Sequence, residues 1–142
     1  MSRPKSQNGI EFHQAIAAAS RTGGGLRTGI EALANDMPLP IDLRVAAPRL
    51  PAQTETTAYF IVAEALTNVV KHAHATRATV AIALQGNDLT IEIRDDGAGG
   101  ADPVRGTGLT GLLDRIEAAD GTLTISSPAR DGTTVHATLH VP

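Results

Sequence analysis

The stretch ATVAIALQGNDLTIEIRDDG, Ala78 to Gly97, carries the clearest structural signal in the chain. Val80, Ile82 and Leu84 point one way. Leu89, Ile91 and Ile93 do likewise, with Thr90, Glu92 and Arg94 opposite. Alternation with a period of two marks a strand with one buried face. The pattern predicts strands over Ala78–Leu84 and Leu89–Arg94, and Gly86-Asn87-Asp88 between them has hairpin chemistry. Such strands belong to a sheet that is covered on one side and wet on the other.

Working outward toward the N-terminus, Tyr59, Val62, Leu66, Val69 and Ala73 form the apolar stripe of a long helix, about Thr54 to Ala73. Thr54 is the expected N-cap, with Glu55 in the first turn. Before it, IDLRV at Ile41–Val45 alternates as a strand and is broken by Pro48 and Pro51. Leu26, Ile30 and Leu33 form a second helical stripe, stopped by the MPLP run at Met37–Pro40. Toward the C-terminus, a glycine-rich stretch from Asp95 to Gly111 leads into a helix with Leu109, Leu112, Leu113 and Ile116 on one face. Strands over Thr122–Ser127 and Thr133–Val141 follow, joined through Asp131-Gly132. In the last, Val135, Ala137, Leu139 and Val141 oppose His136, Thr138 and His140. The sum is an α/β (α+β) two-layer sandwich: a mixed, largely antiparallel sheet of about five strands with three helices on one face. A doubly wound sheet would need both strand faces apolar. Residues 1–24, with a short helix over Ile10–Ser20 and glycines near the end, are expected to be a lead-in; residues 25–142 form the domain.

Composition narrows the function. A chain of 142 residues buries roughly two-thirds of the surface its unfolded form exposes, enough for one ordinary domain. The net charge of −3 offers no basic excess for a phosphate backbone, and 2 % aromatics leave few platforms for base stacking, so nucleic acid is not an expected partner. With no cysteine, disulfides, thiolate zinc sites and cysteine nucleophiles are excluded together, which fits a cytoplasmic location. No apolar run reaches the length of a membrane span, and no membrane contact is expected of this segment.

Three segments could do chemistry. In EALTNVVKHA, Glu64, Asn68 and Lys71 lie within about a 60° arc of a helix. An amide oxygen there could coordinate Mg²⁺ shared with substrate phosphates, a lysine suits phosphate charge, and a carboxylate could orient water or a ligand. The plain alternative is a solvated face with a Glu–Lys pair. In RDDGAGG, Arg94–Gly100, Asp95 closes a strand, and the glycines let the backbone turn and a flat ring approach. A carboxylate there could accept a hydrogen bond from an exocyclic amine; an acidic turn is the alternative. In GTGLTGL, Gly106–Leu112, glycines at a helix start make an anion site. Gly106, Gly108 and Gly111 match G-x-G-x-x-G, but no strand precedes them, so the dinucleotide fold is excluded, and no Walker-type loop occurs. His72 and His74 have no second cluster at zinc-ligand spacing.

The order of the three segments resembles the superfamily of gyrase, heat-shock chaperone, histidine kinase and mismatch-repair ATPases, with its Bergerat nucleotide-binding fold. LRTGIEAL, LPAQTETTAYFIVAEALTNVVKHAHA, IRDDGAGG, GTGLTGLLDRIEAADGTLTISS and DGTTVHATLHVP are together similar to the ATP-binding domain of NarL-type sensor histidine kinases, over about Gly25 to Pro142. The resemblance implies ATP and Mg²⁺ as cofactors. It implies Asn68 as the Mg²⁺ ligand, Asp95 as acceptor for the adenine amine, and Gly97 and Gly99 as the adenine pocket's shapers. Gly106, Gly108 and Gly111, with Thr107 and Leu109 in the same stretch, would border the phosphates. Lys71 and His72 match the family's lysine and histidine, with a phosphate role for Lys71, and Thr133 matches a threonine that supports the adenine site. Glu64 matches the base of the water-hydrolysing relatives, a role that kinases attacking a histidine do not need. Only Ala101–Arg105 separate the glycine segments, a short lid like that of the NarL-type subgroup.

A histidine kinase also needs a phosphoacceptor histidine on a dimerising hairpin. His13, in Glu11-Phe12-His13-Gln14, is followed by no acidic residue, and the chain to the Glu64 helix leaves no room for the hairpin. The resemblance therefore implies a catalytic domain, a monomer by itself, that meets its phosphoacceptor histidine domain in cis in a longer kinase or in trans. Its downstream partner would be a response regulator with a helix-turn-helix output domain. Two other readings stand: an anti-sigma-factor-type serine kinase of the same superfamily, and a nucleotide-binding interaction module without turnover.

Overall fold

The computed structural model describes residues 25–73, 75–97, 114, 116–118, 120–126 and 132–142. The elements are α1 (Gly25–Asn35), β1 (Ile41–Ala46), α2 (Ala52–Asn68), continued by a π-helical turn over Val69–Ala73, then β2 (Ala78–Gln85), β3 (Asp88–Asp95), β4 (Thr122–Ser126) and β5 (Thr133–His140). Asp114 and residues 116–118 are helical as well. The strands form one sheet in the order β1-β2-β3-β5-β4. β1 runs parallel to β2 and the other three pairings are antiparallel. The expected mixed, largely antiparallel sheet is therefore present.

Register follows from the alternation. Val80 faces Ile93, Ile82 faces Ile91 and Leu84 faces Leu89 across the hairpin; Leu139, Ala137 and Val135 continue the rows onto β5. A slip of one residue would turn all of these side chains into water, so the pattern admits a single pairing. Gln85 pairs with Asp88, leaving Gly86-Asn87 as a two-residue turn. Gly86 has φ +63° while Asn87 does not enter the left-handed region, the form in which a glycine at the first turn position matches strand twist.

The helices cover the apolar face. Leu26, Ile30 and Leu33 of α1 and Tyr59, Ile61, Val62, Ala65 and Leu66 of α2 share one core with the inner sheet residues. Ile116 joins them. Ala73, the last residue of the expected stripe, has no described side chain. Arg27 of α1 donates from Nη2 to the Val45 carbonyl, tying that helix to the edge strand. On the other face, Glu92 lies opposite His136 at 3.7 Å and Asp88 opposite His140 at 3.6 Å, so the two histidines stand beside carboxylates.

Both ends of α2 differ from the sequence expectation by more than a residue. α2 begins at Ala52, its N-cap is Pro51, and no side chain caps it. Thr54 thus lies inside the first turn. The Glu55 N–H instead bonds the Pro51 carbonyl at 3.0 Å, and proline, fixed near helical φ, starts the turn without spending a donor. The α-helix also stops at Asn68, five residues early, where the turn widens. The expected helix over Ile10–Ser20, the strand residue Ser127 and Leu109, Leu112 and Leu113 lie outside the described residues.

Candidate functional site

Four strands meet at one end of the sheet. Ile41, Ala78, Asp95 and Thr133 are successive Cα partners across β1, β2, β3 and β5. α2 brings its C-terminus to that same end. Its first turns, Pro51, Gln53, Thr54 and Thr57, line a shallow groove with Leu139, His140 and Pro142 at the far end of β5. Its 17 residues span about 25 Å, nearly the length of the eight-residue β5, so Asn68 arrives near the start of β5. The Asn68 helix end and the Asp95 strand end therefore share one end of the molecule.

The Asp95 corner is built by local hydrogen bonds. Asp95 Oδ1 accepts from the Gly97 N–H at 2.8 Å, a side-chain turn that fixes the carboxylate. Oδ2 accepts no hydrogen bond from the described residues and keeps its capacity for a ligand donor. The Gly97 carbonyl accepts from the Gly132 N–H at 3.1 Å. Gly132 has φ +72°, and a Cβ there would stand 2.1 Å from the Asp95 carbonyl oxygen. Only glycine lets β5 start this close to the end of β3.

Asp96 is the residue that sequence reasoning missed. Its Oδ1 accepts from the Thr76 N–H at 2.8 Å and the Arg77 N–H at 3.1 Å, and its Oδ2 accepts from the Thr76 hydroxyl. The Thr76 side-chain bond, then the backbone bonds, hold its carboxyl below the usual carboxylate range. The only signal in the sequence was the doubled Asp95-Asp96; nothing local says which aspartate turns inward.

On the helix, Glu64 and Asn68 are half-buried and Lys71 is exposed. No ion pair joins Glu64 to Lys71 among the described residues. The turn Val69–Ala73 is π-helical. A π turn holds more residues than an α turn, so Lys71 is rotated off the narrow strip that a regular helix would give it. His72 lies in this turn, with no described side chain. Val70, 43 % exposed, stands beside Lys71. Thr133 pairs with Asp95 in register. Gly99, Gly106, Thr107, Gly108, Leu109 and Gly111 lie outside the described residues.

The strand end carries a carboxylate with one oxygen fixed and a glycine corner, and the helix that ends at Asn68 runs toward the same end of the sheet. Among the described residues no three of His, Asp or Glu gather into a metal-binding cluster. A divalent ion here would lean on few protein ligands and on phosphate oxygens, which is the habit of Mg²⁺. No described helix is long and apolar enough to cross a membrane.

Residues 53–142 match the family described as histidine kinase-, DNA gyrase B- and HSP90-like ATPase. The chain is 32 % identical over 139 residues to the signal transduction histidine-protein kinase/phosphatase UhpB of Salmonella typhimurium, covering 96 % of this chain and 26 % of that protein. It is 39 % identical over 101 residues to the oxygen sensor histidine kinase NreB of Staphylococcus carnosus, covering 68 % of this chain and 28 % of that one. The chain thus spans about a quarter of these relatives' length. Among solved structures, the blue-light activated histidine kinase EL346 of Erythrobacter litoralis superposes with a TM-score of 0.80 at 17 % identity, over 93 % of this chain and 47 % of that one. The ATP-binding domain of PrrB from Mycobacterium tuberculosis superposes with a TM-score of 0.60 at 22 % identity, over 78 % and 90 %.

Proposed function

The chain belongs to the histidine kinase-, DNA gyrase B- and HSP90-like ATPase family as an ATP-binding catalytic domain of the sensor histidine kinase kind, and from that premise we propose that it donates the γ-phosphoryl group of ATP to a histidine on another domain or chain. The single observation that supports this reading is the Asp95 corner, where the Gly97 amide fixes Oδ1 and Oδ2 accepts no bond from the described residues, an acceptor suited to an adenine amine. Asp95 orients the base. Asn68 holds Mg²⁺, which when bound neutralises phosphate charge. Lys71 faces the phosphates from the widened turn. Gly97 and Gly99 admit the purine ring, and Thr133, the register partner of Asp95, supports that side. His72, Gly106, Thr107, Gly108, Leu109 and Gly111 complete the nucleotide site. Glu64 is available to orient the incoming nucleophile. Phosphoryl transfer asks the protein for positioning and charge neutralisation, and this set supplies both. The acceptor domain and a response regulator with a helix-turn-helix output domain are the proposed partners, on the cytoplasmic side, where ATP is.

The test is transfer in trans. The chain is mixed with labelled ATP, Mg²⁺ and a separately expressed acceptor hairpin from a NarL-type kinase. The reading predicts label on the hairpin that acid removes, because phosphohistidine is acid-labile. Acid-stable label on a serine would favour the anti-sigma-factor type, and nucleotide binding with no transfer under any pairing would favour a binding module.

A further inference from the structure

We propose that Asp96 is a positioning residue for the nucleotide site, a latch that holds the exit of the Asn68 helix to the Asp95 corner. The proposal rests on the nucleotide-site reading above. Asp96 is solvent-exposed, where a carboxylate ordinarily bonds water, yet it accepts three hydrogen bonds from two residues 19 and 20 positions away. Both amides, of Thr76 and Arg77, belong to the short link between the π turn and β2. They precede the first ladder residue, Ala78, whose own N–H goes to the Pro40 carbonyl at 3.1 Å. They have no strand to bond, and Asp96 supplies the acceptor. Bonds from two amides and a hydroxyl to an ionised carboxylate are of the stronger, charge-assisted kind.

The other side of the latch is the site itself. Asp96 sits between Asp95, whose Oδ1 is bonded by the Gly97 amide, and Gly97, whose carbonyl is bonded by the Gly132 amide. A shift of Asp96 therefore moves the adenine-side carboxylate. A shift of Thr76 moves the chain leaving Lys71. A nucleotide bridging the two ends needs their separation set in advance, and the Thr76–Asp96 contact is a direct side-chain tie between them among the described residues.

Calorimetric titration of a non-hydrolysable ATP analogue with Mg²⁺ into the full chain tests this, with Asp95→Asn as the control for the site. Asp96→Ala and Thr76→Ala should each weaken binding about tenfold, the scale of one charge-assisted hydrogen bond, with the far-UV circular dichroism of the folded state retained. Thr76→Ser, which keeps the hydroxyl, should restore affinity to within about twofold, and the double alanine variant should bind no worse than the weaker single, since both remove one unit. Wild-type affinity in Asp96→Ala, a loss that merely tracks the unfolded fraction, or failure of Thr76→Ser to rescue would overturn the latch while leaving the nucleotide site intact. No binding by the wild-type chain would overturn the site reading and the latch together.

Discussion

Glu55 sits in the first turn of α2 and is only 1 % exposed. Its Oε2 accepts from the Leu50 N–H at 3.2 Å and from Arg49 Nε at 3.3 Å, while Oε1 is buried without a partner among the described residues. The sequence marks it as an ordinary acidic residue near a helix N-terminus; the burial was not legible, because the partners lie behind Pro51 and depend on how the chain enters the helix. Glu55→Ala would leave the Leu50 amide unsatisfied. Urea unfolding should show a loss of about 1–3 kcal/mol, with nucleotide affinity of the folded chain unchanged because Glu55 lies at the opposite end of α2 from Asn68. Gly132 is the contrary case, a turn residue in the sequence that the structure makes part of the site. Gly132→Ala combines a left-handed φ with a Cβ driven into the Asp95 carbonyl. It should destabilise by at least about 2 kcal/mol and also weaken nucleotide binding, since the corner must open. Asp96 adds a pH signature. Its folded carboxyl titrates below the ordinary value, so its contribution is present above about pH 4 and lost as pH falls through the lowered value. The difference in urea midpoint between the wild-type chain and Asp96→Asn should hold steady from about pH 5 to about pH 8 and shrink as the pH falls below about 4.

At the scale of elements, the hairpin was legible to within a residue because alternation, a two-residue turn and register all demand the same answer. The end of α2 was not. Asn68-Val69-Val70-Lys71 continues a helical pattern by composition, and nothing in it announces a widened turn. Lys71 therefore lies in the widened turn beyond Asn68, while Glu64 and Asn68, one α turn apart, stay on one face. The helix that ends near Ala118 shows a different device. The Gly121 N–H bonds the Ile116 carbonyl at 2.8 Å and the Asp120 N–H bonds the Glu117 carbonyl at 3.1 Å, with Asp120 at φ 52°. This is a Schellman ending with aspartate where glycine is usual. Asp120→Gly should raise stability by about 0.5–1 kcal/mol in thermal or urea melts, because the backbone strain is relieved and no described side-chain bond is lost.

For the whole molecule, strand count, layer arrangement and the wet face were all readable from periodicity. Strand order was not, since alternation says which face is buried and not which strand is the neighbour. What the order contributes is convergence: placing β3 between β2 and β5 puts Asp95 beside Ala78 on one side and Thr133 on the other, and the parallel β1–β2 pair sends α2 across the sheet to deliver Asn68 to the same end. The account stands on that end being a site for ATP. The most direct measurement is calorimetric titration of an ATP analogue with Mg²⁺ into the wild-type chain, Asp95→Asn and Asn68→Ala. The account predicts one-to-one binding by the wild-type chain, lost in Asp95→Asn with or without the ion and lost in Asn68→Ala when the ion is present. Binding that Asp95→Asn leaves unchanged, or no binding at all with Mg²⁺ present, would contradict it.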